Sequence, residues 1–502
     1  MEAKPESVPS YSMGNLTYEV PVTLFVENRR RLLAALKRLA PEAAESSIIF
    51  LEGGVPVNHY NTDTEYPFRQ EPFFHWIFGV TEPNFYGAID VDTEKSYLFY
   101  PKPTESDVIW LGKLPKKRDF AKKYMVDYVY YTHEMATTLT SLNRDRLHVL
   151  SGKNTDSDLM FSTPDTCNIY DFTQTVDHSK LYPILVELRV IKTPLEVDVI
   201  RYACEISSEA HKYVMKSLKP GMYEYQAEAA FMYYVYKIGG CRATAYTCIC
   251  ASGNNGSVLH YGHAAAPNDK RINDGDLCLF DMGASYYGYA SDITVTFPIN
   301  GKFTDKQRMV YSIVFQARDV VFKNLAPGIS WISLHEHAIR EMLRYMKYEL
   351  NLLNLEIDDM IEAGLGAVFQ PHGLGHLLGI DVHDVGGYTN NTPKRPTKRG
   401  FNTLRTVRKL EPGMVVTVEP GCYFIDEVLD DAFNDPQLKP FLTEEINTFR
   451  GIGGVRIEDV VLVTETGYEI LSHLPRTIDE IECFMATGKL EERGKDILKN
   501  GI

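Results

Sequence analysis

The sequence predicts an α/β N-terminal domain with a mixed sheet, followed by an α+β domain that contains an internal duplication. Helical and strand-like segments alternate up to about Phe172, which is typical of an α/β domain. A capping box at Thr193 then opens a new helix. Two later stretches, Gly275 to Gly283 and Gly413 to Gly421, share the form G-x5-[DE]-x-G. They suggest a duplicated domain with one acid from each half, although such a pair of stretches could also arise by chance.

The first domain, placed at residues 1–186, begins with an amphipathic helix. From Val22 the pattern VTLFVENRRRLLAALKRL repeats apolar residues at helical spacing. The runs SIIFLEGG, FFHWIFGV and FYGAIDVDTEKSYLFYP are interpreted as strands, because aromatic and β-branched residues dominate them. The last run is predicted to be a hairpin that turns between Asp92 and Glu94.

The second domain, placed at residues 187–490, opens with a helix that runs from Pro194 to about Leu218. The elements after it are predicted to be a strand pair (Ala245 to Ser252), a long hairpin (Leu277 to Phe297), two helices (Asp305 to Leu325 and Ser333 to Leu350) and strands near Val415 and Val455. Residues 491–502 are predicted to form a charged C-terminal tail.

Composition and charge exclude several classes of function. The chain has 502 residues and a formal net charge of −15, which disfavours binding to nucleic acid or to an anionic membrane surface. No run of eighteen apolar residues occurs, and no apolar run follows a basic start, so we expect no membrane span and no signal peptide. Eight scattered cysteines, several in apolar strand-like runs, favour reduced thiols and a cytoplasmic location. Small or neutral substrates fit this chain best.

Four carboxylates in apolar strands are candidate metal ligands. Asp281 ends the run DLCLFD, and a hairpin turn near residues 286–287 would make Asp292 its direct cross-strand neighbour. Glu419 and Glu458 repeat the pattern in MVVTVEPG and GGVRIED. Each acid alone is more often a structural salt bridge or a strand-end residue, but four buried carboxylates need shared compensation. Together with a histidine they suit two divalent ions such as manganese, while the imidazole also tolerates zinc or cobalt.

The segment FQPHGLGHLLGIDVHDVGGY, residues 369–388, contains three histidines and two aspartates among five glycines. Its glycines weaken any helix, so we expect His372 and His376 on a loop or helix start beside the carboxylates. A hydrogen-bonded core histidine is the alternative for each. His260 and His263 extend the cluster, and the residues alone do not separate ligands from proton-transfer groups.

Two further motifs are interpreted as structural. HEHAIR at His335 lacks the spacing of H-E-x-x-H, so we expect a solvated helix face. KRPTKRG, residues 394–400, is expected to be an exposed loop rather than a polyanion site, because the chain as a whole is acidic.

These motifs resemble the pita-bread metallopeptidases, and among them the eukaryotic Xaa-Pro dipeptidases or prolidases. The resemblance covers nearly the whole chain, through FRQEPFFHWIFGVTEPNFYG, AYTCICASGNNGSVLHYGHAAAPND, PHGLGHLLGIDVHDVGGY, TVEPGCYFID and GGVRIED. It implies a curved antiparallel sheet with a pseudo-twofold axis in the second domain. It also implies a homodimer in which the N-terminal domain covers the partner's site.

The same resemblance implies roles for individual residues. The ligands of a dinuclear manganese centre would be Asp281, Asp292, His376, Glu419 and Glu458. The residues around the substrate would be His260 and His383 at the scissile bond, Arg405 at the terminal carboxylate, Tyr246 lining the pocket, His372 in support and Trp110 reaching the partner's site.

The function implied by this resemblance is hydrolysis of the imide bond of Xaa-Pro dipeptides, which releases proline for salvage from peptide and collagen breakdown. The two ions would activate a water, Glu419 would carry its proton to the imide nitrogen, and His383 would stabilise the developing oxyanion. An aminopeptidase acting on longer Xaa-Pro peptides is the first alternative, and a methionine aminopeptidase would not need the large first domain. A metal-free binding scaffold is the second alternative, although all five ligand-type residues are present.

Overall fold

A computed structural model describes residues 8–162, 175–262 and 268–489. The chain divides into two units, Met1–Arg189 and Val190–Ile502. His263 and the predicted tail, residues 491–502, lie outside the described residues. Among the helices that are described, none combines the length and the apolar character needed to cross a membrane. The seven cysteines of the described part are free thiols, and Cys248 and Cys250 are both buried.

The first unit contains a mixed sheet. Its strands in chain order are β1 Ser10–Tyr11, β2 Val20–Pro21, β3 Ser47–Glu52, β4 Tyr86–Asp90, β5 Lys95–Tyr100, β6 Tyr128–Tyr131, β7 Arg146–His148, β8 Ser151–Lys153, β9 Met160–Ser162 and β10 Thr175–Asp177. The main sheet has the order β10-β7-β3-β4-β5-β6. Strand β4 is antiparallel to β3 and β5, whereas β3 with β7, β7 with β10, and β5 with β6 are parallel. The predicted mixed sheet is therefore confirmed.

Helices accompany this sheet. They are α1 Thr23–Leu39, α2 Pro41–Ala44, α3 Pro72–Phe78, α4 Glu105–Leu111, α5 Lys117–Tyr124, α6 Met135–Ser141 and α7 Leu181–Val190. Helix α1 confirms the predicted amphipathic segment, because its apolar face, including Leu32 and Leu36, is buried. The predicted hairpin is confirmed as well, since β4 and β5 pair on either side of a turn at residues 91–94.

The prediction of a strand at FFHWIFGV was wrong, because this run forms helix α3. Glu71 caps the helix by accepting a hydrogen bond from the amide of Phe74, and Pro72 occupies the first turn. Gly79, with φ of 65°, ends the helix in the left-handed region. These end signals outweigh the strand preference of the aromatic residues between them.

The second unit contains short antiparallel sheets and long helices. Its helices are α8 Pro194–Ser217, α9 Glu224–Lys237, α10 Asp305–Asn324, α11 Trp331–Tyr348, α12 Ile357–Glu362, α13 Gly366–Phe369, α14 Asp426–Asn434 and α15 Ile478–Thr487. Its strands are β11 Ala243–Thr244, β12 Ile249–Ser252, β13 Leu277–Asp281, β14 Ala284–Tyr286, β15 Tyr289–Ala290, β16 Thr294–Pro298, β17 Val415–Val418, β18 Gly421–Tyr423, β19 Gly454–Arg456, β20 Asp459–Val463 and β21 Tyr468–Ile470. The capping box at Thr193 is present at the start of α8, as predicted.

One arrangement of elements occurs twice in this unit. Helices α8 and α9 precede the strands β13 to β16, in which β13 pairs with β16 and β14 with β15. Helices α10 and α11 precede β17 to β20, in which β17 pairs with β20 and β18 with β19. Each set therefore has a pair of short inner strands within a longer outer pair; the inner strands form a hairpin in the first set, whereas α14 lies between them in the second.

Two predictions about this unit were wrong. The segment from Ala245 to Ser252 is not a strand pair, because β11 lies before it and pairs with β14, while β12 pairs with β13. His335 does not lie on a solvated helix face. It is fully buried on α11, and its Nε2 lies 2.9 Å from the carbonyl oxygen of Gly400. This hydrogen bond gives Nε2 of the buried imidazole a partner, whereas Nδ1 has none in the described part of the chain, and the spacing of HEHAIR did not reveal this burial.

Candidate metal centre

The four acids predicted from the sequence lie at the ends of strands in the second unit. Asp281 is the last residue of β13, and Asp292 lies between β15 and β16. Glu419 follows β17 directly, and Glu458 lies between β19 and β20. The G-x5-[DE]-x-G stretches therefore end the first strand of each repeated arrangement with an acid, as the sequence predicted.

Polar contacts between β16 and β19 bring the acids from the two arrangements together. Thr294 donates a hydrogen bond from Oγ1 to Oε2 of Glu458 at 2.7 Å. Arg456 donates from Nε to the Thr294 hydroxyl at 3.0 Å, and its own carbonyl accepts from Thr296 at 2.8 Å. These side chains are buried, so each polar group requires its partner.

The predicted register of the long hairpin was wrong by one residue at the turn. Tyr286 pairs with Tyr289, and the residue opposite Asp281 is Thr294 rather than Asp292. The turn residues 287–288 both have positive φ, 42° and 88°. Such a turn favours glycine at its second position, which places the turn one residue later than expected.

His376 lies on a loop beside these acids, as expected from its glycine-rich surroundings. Its amide donates to Oγ1 of Thr417 on β17 at 3.0 Å, and the amide of Thr417 donates to the His376 carbonyl at 2.9 Å. Glycine at position 375 permits this approach, since an added Cβ would lie 2.1 Å from the Thr417 carbonyl oxygen. The Nε2 atom of His376 lies 3.3 Å from Asp292 Oδ2 and 3.4 Å from Glu419 Oε1.

The five predicted ligand residues and His383 offer overlapping sets of ligand atoms. Within each set, the ligand atoms lie within 4.8 Å of one another. The first set is Asp292, His376 and His383; the second is His376, Glu419 and Glu458; the third is Asp281, Asp292 and Glu458. Shared residues link the three sets. Carboxylate oxygens with imidazole nitrogen are suitable ligands for neighbouring divalent cations.

The electrostatics of the cluster fit a site for cations. Burial raises the pKa of Asp281 to about 6 and that of Glu419 to about 7, and it raises the pKa of Glu458 well above its ordinary value. Repulsion from neighbouring carboxylates adds to these shifts. Burial also favours a raised pKa for Asp292. The hydrogen bond and the charge of His376 outweigh this effect, so the pKa of Asp292 is lowered. Bound cations would stabilise all four acids in the charged form.

Tyr423 and Arg456 complete the surroundings of the cluster. Arg456 donates to Oδ2 of Asp281 at 2.7 Å and to the hydroxyl of Tyr423 at 2.9 Å. That hydroxyl lies 2.8 Å from Nε2 of His372, whose Nδ1 lies 2.7 Å from the Gly373 carbonyl. Burial and the charge of Arg456 lower the pKa of His372 to about 3, so Nδ1–H donates and Nε2 accepts. We did not identify Arg456 or Tyr423 as part of the site in the sequence analysis.

Other residues predicted at the substrate lie around the same centre. The hydroxyl of Tyr246 donates to Oδ1 of Asp281. The ring of His383 lies 4.5 Å from the ring of His376, centroid to centroid. Burial, followed by the charges of His376 and Arg405, lowers the pKa of His383 to about 3. Arg405 therefore lies near enough to act on His383 electrostatically.

His260 is exposed and interacts electrostatically with His372 and His383. Its charge contributes to the lowered pKa values of His372 and His383, whose main cause is burial. Trp110 belongs to the first unit, where it is 83% exposed on α4. The structure describes a single chain, so the predicted contact of Trp110 with a partner's site stays a prediction.

Comparisons with known proteins agree with this arrangement. Residues 198–465 match the model of metallopeptidase family M24, and residues 25–150 match that of the aminopeptidase P N-terminal domain. The chain is 50% identical over 479 residues to the Xaa-Pro dipeptidase of Rattus norvegicus, covering 95% of this chain and 96% of the relative.

Solved structures share the two-domain fold. The aminopeptidase PepP of Pseudomonas aeruginosa has a TM-score of 0.77 and 31% identity, covering 94% of this chain and 99% of its own. Zinc-substituted E. coli aminopeptidase P in complex with product has a TM-score of 0.76 and 30% identity, covering 94% and 100%. The chain, with its buried cluster of acids and histidines, therefore belongs to metallopeptidase family M24.

Proposed function

We propose that this protein is a metal-dependent Xaa-Pro dipeptidase that hydrolyses the imide bond before proline and releases free proline. The observation that carries the proposal is the cluster of four carboxylates and His376, which with His383 forms three overlapping groups of three residues, and within each group the ligand atoms lie within 4.8 Å of one another. The 50% identity to a curated Xaa-Pro dipeptidase over 95% of the chain supports the substrate class.

The residues that would hold two divalent cations are Asp281, Asp292, His376, Glu419 and Glu458. Manganese is the proposed metal because the donors are mainly hard oxygens, and zinc or cobalt could replace it through the imidazole. Cations bound here would activate a water molecule and polarise the substrate carbonyl. Arg456 and Tyr246 would orient Asp281, since they donate to its two oxygens.

The chain's own groups would handle the proton and the developing negative charge. Glu419 would take the proton of the attacking water and deliver it to the imide nitrogen, which bears no hydrogen and must be protonated to leave. His383 would be neutral because of its lowered pKa, and its ring N–H would donate to the carbonyl oxygen as negative charge develops. His372 would support the site by accepting a hydrogen bond from the Tyr423 hydroxyl, which in turn accepts one from Arg456.

Arg405 would select substrates in which proline is the C-terminal residue. A guanidinium can donate two parallel hydrogen bonds to a carboxylate, and a longer peptide would not present a free carboxylate at this position. His260 and Tyr246 would line the space around the scissile bond.

The proposal extends to the whole chain. The repeated order of helices and paired strands supports an internal pseudo-twofold duplication in a pita-bread domain, residues 187–490, with a curved antiparallel sheet. The first domain, residues 1–186, would mediate homodimerisation and cover the partner's site, with Trp110 reaching across. Free, mostly buried thiols support a cytoplasmic location, where the enzyme would salvage proline.

An Xaa-Pro aminopeptidase is the second candidate. The likeness to solved structures of aminopeptidases P, with TM-scores of 0.77 and 0.76, favours it. The two candidates differ in the peptide beyond proline, since a dipeptidase requires the free carboxylate at that position.

Hydrolysis of Gly-Pro and Gly-Pro-Ala by chelator-treated protein resupplied with manganese tests the proposal. We expect manganese-dependent cleavage of Gly-Pro and negligible cleavage of Gly-Pro-Ala. Efficient cleavage of the tripeptide would instead identify an aminopeptidase. Inactivity on both peptides after reloading would favour a binding scaffold.

A further inference from the structure

Two side chains hold the peptide group that precedes Arg405. The hydroxyl of Tyr388 donates to the carbonyl oxygen of Leu404 at 2.7 Å. Arg395 donates from Nη1 to the same oxygen. The guanidinium carbon of Arg395 also lies 4.2 Å from the centroid of the Tyr388 ring. The Leu404 carbonyl thus has both of its lone pairs engaged, which fixes the plane of the peptide joining Leu404 to Arg405.

The peptide group that follows Arg405 is held from the same side. A Cβ added at Gly387 would lie 1.9 Å from the carbonyl oxygen of Arg405, so only glycine permits this contact. Gly386 has a φ of 104°, which also favours glycine, and its carbonyl accepts a hydrogen bond from Nε of Arg408. Segment 386–388 therefore contacts the backbone of segment 404–408 both before and after Arg405.

Segment 386–388 begins three residues after His383. The same short stretch of chain thus carries the group placed at the substrate carbonyl and the contacts that hold Arg405. A dipeptide ending in proline has a nearly fixed distance between this carbonyl and its terminal carboxylate, because the pyrrolidine ring restricts the backbone.

We propose that Tyr388 and Arg395 are positioning residues that set Arg405 at the distance from His383 that a C-terminal proline requires. This inference rests on the proposed function. The loop containing KRPTKRG then has a role in substrate selection, because it supplies Arg395. Neither side chain is assigned a contact with the substrate.

The test is the double variant Tyr388→Phe with Arg395→Met, assayed with Gly-Pro as the manganese-loaded full-length protein. Losing both donors to Leu404 should raise KM about tenfold and leave kcat within about twofold, since positioning of the carboxylate changes while the metal ligands do not. Inhibition by L-proline, which carries the same carboxylate, should weaken by a similar factor. The matched control is Lys398→Met, because Lys398 lies on the same loop but pairs with Glu362 at 2.7 Å.

Tyr388→Phe alone removes one donor and should give a smaller rise in KM, which keeps the test valid if the double variant does not fold. An unchanged KM in a folded variant would overturn the inference, as would an equal effect in Lys398→Met or a fall in kcat at constant KM. If the unaltered protein failed to cleave Gly-Pro, the proposed function would fall first. If the unaltered protein were active and the variant had the same KM, only the positioning role would be contradicted.

Discussion

Asp281 illustrates how the surroundings of one side chain define a site. Both of its oxygens accept hydrogen bonds, one from Tyr246 and one from Arg456. These donors only partly compensate its burial and its carboxylate neighbour Asp292, so its pKa is raised to about 6. A carboxylate in this position is costly to the fold unless a cation completes its coordination.

Replacing Asp281 by Asn should abolish activity while the protein stays folded. The amide has the same shape but binds a divalent cation poorly, so kcat/KM for Gly-Pro should fall by at least about 100-fold. The measurement is steady-state kinetics together with circular dichroism of the metal-free protein, which should show a folded chain with a lower thermal midpoint, because Arg456 loses a charged partner at 2.7 Å. Near-normal turnover by this variant would contradict the ligand assignment.

His335 should make stability depend on pH. Burial lowers its pKa from 6.5 to about 4, so the folded protein holds it neutral where the unfolded chain already binds a proton. Its contribution to the free energy of unfolding, about 3 kcal/mol, is therefore complete above pH 6.5 and is lost as the pH falls towards 4. Thermal midpoints of the unaltered protein and of His335→Gln, measured from pH 7 to 4.5, should converge on acidification. Parallel curves would show that this histidine does not titrate as inferred.

At the scale of elements, a buried ion pair joins the entrance of the second unit to the histidine loop. Lys192, just before α8, lies 2.9 Å from Asp384, and each side chain is only 1% exposed. The amide of Asp384 donates to the Leu377 carbonyl, which closes the loop between His376 and His383. We interpret the pair as the contact that keeps these two histidines side by side.

Asp384→Asn should destabilise the protein by about 3–5 kcal/mol, because it leaves the Lys192 ammonium buried without its counter-ion. Asp319→Asn is the matched control. Asp319 pairs with Lys323 at 2.6 Å on the exposed face of α10, so its loss should cost less than about 1 kcal/mol. Unfolding in urea measures both. Equal losses in the two variants would mean that the buried pair has no special importance.

The elements themselves were largely predictable where local signals mark their ends. The capping box at Thr193 identified the start of α8, because a cap depends on residues three apart. Helix α3 was missed since we gave its aromatic residues more importance than the cap at Glu71 and the glycine at position 79. The register of the hairpin beyond Asp281 was missed because it depends on which residue adopts positive φ, and Tyr287 does so here.

At the scale of the whole molecule, metal binding and folding should be linked. Three buried carboxylates and the partly buried Glu419 repel one another without a cation, whereas the unfolded chain exposes them to water. Treatment with a chelator should therefore lower the thermal midpoint by several degrees, and manganese should restore it. Calorimetry measures both steps, and the double variant Asp281→Asn with Glu458→Gln should respond to neither. Identical midpoints with and without manganese would contradict a metal centre that stabilises the fold.

The sequence by itself indicated which acids gather, because apolar strands that end in carboxylates leave a buried charge to be compensated. Its glycine-rich segment also indicated His372 and His376 beside them. The sequence also determined most helix and strand positions, since caps and periodicity are local properties. Only the tertiary structure revealed Tyr423 beside Arg456, the pairing of Lys192 with Asp384, and the two donors to Leu404. Each of these contacts joins groups that are not neighbours in a regular helix or strand. Their formation depends on how whole segments pack, which no local pattern of residues specifies.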